Sequence, residues 1–133
     1  MKKVSIFLLV MFCLVLIGCS KDAEVNEFIS EKDAVIKDIS QKIEANPTGA
    51  GIDEAQKSFD AKKAALKSKW DAIKEARGAQ VSADTQKKLN DSMANNMKML
   101  TDAATKNAMK MTMDKNAMPK FQKLMTDYGE TFK

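Results

Sequence analysis

The chain has 133 residues, of which 22 are basic and 18 acidic, and its net charge at pH 7 is +4. Because both signs are interspersed and nearly balanced, the composition argues against a nucleic-acid partner and indicates a solvated surface. The chain has no histidine, and histidine is the commonest general base and metal ligand. Neither a phosphate-binding glycine loop nor a G-x-S-x-G motif occurs. We therefore expect a protein that is not an enzyme and has no cofactor.

The first segment has the pattern of an export signal. Lys2 and Lys3 precede an apolar run, residues 4–17, in which Ser5 is the only strongly polar side chain. A positive start, a short apolar stretch and a small residue before the cut are the three parts of a secretory signal peptide. A membrane-spanning helix needs about 20 apolar residues, so this run is too short to span a bilayer. We predict that residues 1–18 are removed.

The end of this segment, Leu16-Ile17-Gly18-Cys19, resembles the lipobox of bacterial lipoproteins. The resemblance covers residues 1–19 only, and it implies cleavage between Gly18 and Cys19. It also implies a diacylglycerol on the Cys19 thiol and, often, an acylated amino group. In Gram-negative lipoproteins an aspartate after the cysteine tends to retain the protein at the inner membrane, so Ser20 favours the outer membrane, facing the periplasm. The resemblance thus predicts a membrane partner through a covalent lipid anchor.

The two cysteines agree with this interpretation. Cys13 lies inside the predicted signal peptide, so Cys19 is the only cysteine of the predicted mature chain. It has no partner for an intramolecular disulfide, although an exported compartment would permit one. Two or more acyl chains together hold a protein stably on a membrane.

The remaining chain is predicted to form a short polar lipidated tether, residues 19–24, and one helical domain, residues 25–133. Breaks are predicted at Asn46–Gly51, at Gly78 and at Met118-Pro119. Apolar residues recur every three or four positions between these breaks, which predicts amphipathic helices. The first helix has Val25, Phe28/Ile29, Val35/Ile36, Ile39 and Ile43 on this spacing; the second has Ile52, Ala55, Phe59, Leu66, Trp70 and Ile73.

The third helix is predicted to start at the N-cap Ser82 and to extend for some 45 residues. Its apolar spacing fails only at Asn107 and Asp114; Pro119 should kink it or start a new helix, and Gly129 should end it. The seam contains Met93, Met97, Leu100, Ala104, Met111, Met118, Phe121, Met125 and Tyr128. The first helix is net acidic and the other two are net basic, which favours their packing together. We predict an all-α, antiparallel three-helix bundle with a long C-terminal helix.

Methionine is concentrated in this third region. Thioethers are soft ligands that suit Cu(I), so Met99, Met109, Met111 and Met113 are candidate ligands. Helical geometry weakens this hypothesis, because it places Met111 on the face opposite Met109 and Met113. The alternatives are packing, for Met111 and the other seam methionines, and a contact surface, for Met99, Met109 and Met113.

Two functional hypotheses follow. The leading one is a membrane-anchored helical lipoprotein of the bacterial cell envelope that acts as a non-enzymatic structural or accessory protein, through an envelope protein partner or through self-association. The alternative is a methionine-based module that binds Cu(I) or a small ligand.

Overall fold

The computed structural model describes residues 20–76 and 80–133. The predicted signal peptide, its cleavage site at Gly18 and Cys19, and the lipidation of Cys19 lie outside the described residues. Within these ranges the chain is all-α, as predicted, and the helices pack on one another. The helices are α1 Asp22–Ala45, α2 Gly49–Ile73, α3 Ala83–Lys106, α4 Ala108–Met113 and α5 Ala117–Thr131.

Helix α1 begins inside the segment predicted to be a tether. Asp22 and Glu24 lie in its first turn, where a negative charge is favourable beside the unpaired amides. The predicted apolar positions Val25, Phe28 and Ile36 are fully buried, as are Ile39 and Ile43. The helix ends at Ala45, before the predicted break at residues 46–51.

Helix α2 begins with a well-defined N-cap. The Thr48 hydroxyl accepts a hydrogen bond from the Gly51 amide at 3.4 Å, which satisfies one of the amides that a helix start leaves unpaired. Of the predicted core positions, Trp70 is partly buried and packs against the core. The others, Ile52, Ala55, Phe59, Leu66 and Ile73, are buried.

The prediction of one long third helix was wrong, because the region forms α3, α4 and α5. The interruptions fall where the apolar spacing fails. Asn107 leaves helical geometry, and its side-chain amide donates to the Ala103 carbonyl. Asp114 is extended, and its carboxylate accepts the amides of Gly49 at 2.6 Å and Asn116 at 2.9 Å. A carboxylate that binds two backbone amides stabilises a turn more than it would stabilise a continuous helix.

A new helix starts beside Pro119, which is one of the two predicted alternatives, whereas the end of α5 differs from the prediction. Pro119 lies in the first turn of α5, where its missing amide leaves no helical hydrogen bond unmade. Gly129 does not end the helix, which continues to Thr131. The predicted N-cap of α3 is confirmed, since the Ser82 hydroxyl accepts the Thr85 amide at 3.2 Å.

Helix α1 packs against α2 and α3, α5 packs against α2, and α4 touches both α3 and α5. Two hydrogen bonds join the starts of α1 and α3, from the Lys21 amide to the Gln80 carbonyl at 2.6 Å and from the Ser82 amide to Asp22 at 2.8 Å. We call this region, residues 20–22 and 80–82, the near end, because it directly follows Cys19, the predicted lipidation site. The far end comprises residues 44–49 and 106–116, where Asp114 binds Gly49.

Ion pairs between α1 and its neighbours α2 and α3 follow the predicted sorting of charge, whereas Lys120 of α5 pairs with Asp53 of α2. Lys69 of the basic α2 contacts Glu27 at 2.5 Å and Glu31 at 2.6 Å on the acidic α1, and these hydrogen bonds raise the pKa of Lys69. At the far end, Lys106 of α3 lies 3.4 Å from Glu44 of α1. Such exposed pairs contribute little energy, but they favour one pairing of the helices over others.

Candidate functional site

The four methionines proposed as Cu(I) ligands are not brought together. Met111 is fully buried in the core, whereas Met109 and Met113 are 81% and 82% exposed. The expectation that Met111 points away from the other two is therefore confirmed. Met99 lies on α3 and is 38% exposed. The face of α4 that meets solvent presents two thioethers, Met109 and Met113, spaced four residues apart and hence on adjacent turns.

The packing interpretation holds for four of the five seam methionines. Met111 is buried, and Met93, Met118 and Met125 are partly buried against the core. Met97, predicted to be in the core, is 40% exposed. Its neighbour Asn96 occupies the buried position instead.

Asn96 is buried because it belongs to a polar cluster between α1 and α3. The Asp33 Oδ1 atom accepts hydrogen bonds from the Ser92 hydroxyl at 2.6 Å and from the Asn96 amide at 2.7 Å. The Asn96 amide also lies 3.3 Å from the Ser92 oxygen. Hydrogen bonds to a carboxylate are stronger than those between neutral groups, so they offset the desolvation of both side chains. The sequence prediction missed this cluster. The only feature of the sequence that could have predicted the cluster is the helical spacing of Ser92 and Asn96, which lie between Leu89 and Leu100.

A second polar group, Lys32, lies deeper in the core. Its side chain is 0% exposed, and its Nζ atom has no hydrogen-bond partner. Nζ lies 5.7 Å from the centroid of the Phe28 ring and 5.8 Å from that of Phe132, where aromatic faces attract a cation. Burial lowers the pKa of Lys32 from 10.5 to about 8, although the charge of the neighbouring Asp33 acts to raise it. Lys32 stands midway between Phe28 and Ile36 in the apolar repeat of α1. This position is the only feature of the sequence that could have predicted its burial.

The two rings beside this lysine, Phe28 and Phe132, belong to a larger cluster of aromatic side chains. The Phe28 ring centroid is 5.7 Å from that of Trp70 and 5.8 Å from that of Phe132, and the Tyr128 centroid is 5.1 Å from that of Phe132. Burial, together with the negative charge of Asp33, raises the pKa of Tyr128 to about 12. Phe132 follows α5 directly, so one of the two rings beside the Lys32 amine comes from the residue just after that helix. The amine is therefore held as a core element, closed to solvent.

Removing Asp33 should expose the energetic role of the polar cluster. In Asp33→Ala, the Ser92 hydroxyl and the Asn96 amide lose their acceptor, and we expect a loss of about 1–3 kcal/mol in the free energy of unfolding, measured by urea denaturation. The pKa of Tyr128 should also fall, and absorbance titration can follow it cleanly because the chain has a single tyrosine.

Asp33→Asn is the matched control for this prediction. It keeps an oxygen acceptor for Ser92 and Asn96 but removes the charge, so most of the stability should remain while the pKa of Tyr128 still falls. Equal stability losses in both variants would show that the charge of Asp33, and not its acceptor geometry, stabilises the cluster.

A surface groove of about 420 Å³ lies between α1 and α2, and its lining includes Ala34, Val35 and Ala65. Its charged rim is occupied by the ion pair between Glu31 and Lys69.

The described ranges contain neither a cluster of three or more metal-ligating acidic, cysteine or histidine side chains nor a helix with the length and apolarity needed to cross a bilayer. No protein-family model, curated protein or solved structure matches the chain.

Proposed function

We propose that the chain is a lipid-anchored lipoprotein of the bacterial cell envelope that acts without catalysis, as a structural or accessory protein in contact with a partner or with further copies of itself. The observation that carries the proposal is the stretch Leu16-Ile17-Gly18-Cys19, which follows a positively charged start and an apolar run. A thioether-linked diacylglycerol on Cys19, with acylation of the new amino group, would give an anchor of several acyl chains. Ser20 favours the outer membrane, facing the periplasm.

The start of the described fold is compatible with a short anchor. Helix α1 begins at Asp22, and the Lys21 amide is already hydrogen-bonded to Gln80. Residues between Cys19 and this bond could extend at most about 3.5 Å each, so an acylated Cys19 would hold the near end within roughly 10 Å of the membrane surface. With its 24 residues, α1 is about 36 Å long. With α1 upright on that membrane, the far end, with Met109 and Met113, would face away from it and be available for protein contacts.

We further propose that α1, α2 and α3 form an antiparallel three-helix core in up-down-up order, with α5 as a fourth, descending helix. Two contacts between side chains or backbone of different helices support these helix directions. Lys69, late in α2, contacts Glu27, early in α1, whereas Asp22 and Ser82 pair at the starts of α1 and α3. The core thus has the usual topology of a bundle with short connections.

The lipid anchor is tested by mass spectrometry of the membrane fraction. We expect the mature chain to start at Cys19 and to carry a diacylglycerol, and we expect Cys19→Ser to lose the lipid and to retain residues 1–18, because the thiol is the site of attachment. Cys13→Ser is the matched control, since Cys13 lies in the segment to be removed and its loss should leave lipidation intact. An unmodified Cys19 on a chain that retains its first 18 residues would refute the proposal.

A further inference from the structure

Every large hydrophobic side chain that the described residues expose is a methionine: Met97, Met99, Met109 and Met113. Leucine has a helix propensity close to that of methionine and a similar apolar area, so neither helix formation nor packing favours methionine at a solvent-facing position. What methionine adds there is its sulfur atom, which is polarizable, a soft ligand and open to oxidation.

The arrangement of these sulfur atoms distinguishes between Cu(I) binding and oxidation. A Cu(I) site needs thioethers that converge on one point. Only Met109 and Met113 share a face, because Met111 is buried between them and because Met97 and Met99, two residues apart on α3, point about 200° away from each other. The property common to all four exposed methionines is access to solvent, which is what an oxidant requires.

We propose that Met109 and Met113 form a site of reversible oxidation to methionine sulfoxide by small peroxides such as hydrogen peroxide. The thioether sulfur attacks one peroxide oxygen, an S–O bond forms and the O–O bond breaks. With hydrogen peroxide, the departing hydroxide takes the proton of the S–OH group and leaves as water. Sulfur is oxidised by two electrons and the peroxide is reduced. A thiol-dependent reductase reverses the step, as two thiols become a disulfide and the sulfoxide oxygen leaves as water.

The fold separates this site from the core. Met109 and Met113 are more than 80% exposed, so their sulfoxide oxygens can be hydrated without any rearrangement. Met111, on the opposite face of the same helix, is 0% exposed, and a sulfoxide there would place an unpaired polar oxygen in the core. Oxidation confined to the exposed pair therefore replaces two apolar thioethers on the solvent face of α4 with polar sulfoxides and leaves the packing of α4 intact. This inference does not depend on the lipid anchor.

Limited peroxide treatment of the full chain, followed by tryptic peptide mapping, tests the proposal. Cleavage after Lys106, Lys110 and Lys115 places Met109 in one peptide and both Met111 and Met113 in the next, where fragment ions distinguish them. We expect Met109 and Met113 to oxidise at least about tenfold faster than Met111, with Met97 and Met99 at intermediate rates, because exposure governs the reaction. The helical circular dichroism signal should be unchanged. Oxidation of Met111 at a rate similar to that of Met113 would overturn the proposal.

Two further measurements complete the test. In concentrated urea the three methionines of α4 should oxidise at equal rates; if Met111 stays protected there, the fold is not the cause and the proposal fails. Methionine sulfoxide reductases A and B, supplied with a thiol reductant, should return Met109 and Met113 to thioethers while the protein remains folded. Sulfoxides that resist both enzymes in the folded protein would overturn reversibility.

Discussion

Replacing Lys32 with methionine is expected to raise the free energy of unfolding at pH 7 by about 3 kcal/mol. The folded chain holds the Lys32 ammonium in the core with no hydrogen-bond partner, and burial lowers its pKa from 10.5 to about 8. Each pKa unit corresponds to about 1.4 kcal/mol between the two protonation states. Methionine has nearly the same length, fills irregular space and carries no charge to desolvate, so it should keep the contacts with Phe28 and Phe132.

The pH dependence gives this prediction a definite sign. Below pH 8 the Lys32 amine is protonated in both the folded and the unfolded chain, and the full penalty applies. Between pH 8 and 10.5 the unfolded chain binds more protons than the folded one, so the stability contributed by Lys32 rises with pH. Above 10.5 both states are neutral and the penalty is gone. The charge that acts on the amine is that of Asp33 on α1, and the same charge acts on Tyr128 of α5.

Urea denaturation at pH 7 and at pH 10.5 measures this effect. The stability advantage of Lys32→Met over the wild type should be largest at pH 7 and nearly vanish at pH 10.5. Lys37→Met is the matched control, since Lys37 lies on the same helix but is exposed, and its advantage should be close to zero at both pH values. An advantage of Lys32→Met that does not change with pH would mean that the buried charge is not its cause.

Lys32 also illustrates how far the sequence could predict the structure. Apolar spacing identified α1 and α2 correctly, because each of these helices buries one continuous face that repeats with the helical period. The same rule assigns only apolar residues to the core, so it did not predict that Lys32 is buried. Whether a lysine at such a position is buried depends on the rings that surround it, and Phe132 lies a hundred residues further along the chain.

The third region shows a related limit. The apolar spacing of this region is interrupted only by Asn107 and Asp114. A helix can tolerate isolated polar residues on its buried face, so the spacing alone predicted one continuous helix. The interruption at Asn107 involves a local bond to the Ala103 carbonyl, whereas at Asp114 the carboxylate accepts the Gly49 amide, a contact between residues 65 positions apart. Sequence periodicity carries no information about such a partner. The exposure of Met97 also depends on a distant partner, because Asn96 occupies the buried position through its hydrogen bond to Asp33 on α1.

The turn between α1 and α2 requires glycine at position 51. A Cβ atom added to Gly51 would lie 1.9 Å from the Asn46 carbonyl oxygen and 2.9 Å from the Asn46 carbonyl carbon, both of which are backbone atoms. The oxygen cannot move away without a shift of the chain, because residue 46 also ends α1 through its bond to the Lys42 carbonyl. Gly129, in contrast, lies in α5 with open space around the position of a Cβ atom.

Gly51→Ala and Gly129→Ala should therefore change stability in opposite directions, although the chemical change is the same. We expect Gly51→Ala to lower the free energy of unfolding by about 3 kcal/mol, because the added methyl group forces α1 and α2 apart where they join. Gly129→Ala should raise it by about 0.5–1 kcal/mol, because alanine loses less conformational freedom than glycine in a helix. Urea denaturation and Tm of both variants beside the wild type measure the two effects. A Gly51→Ala variant as stable as Gly129→Ala would contradict the close approach of Asn46 to the first turn of α2, and with it the way that α1 meets α2 at the far end.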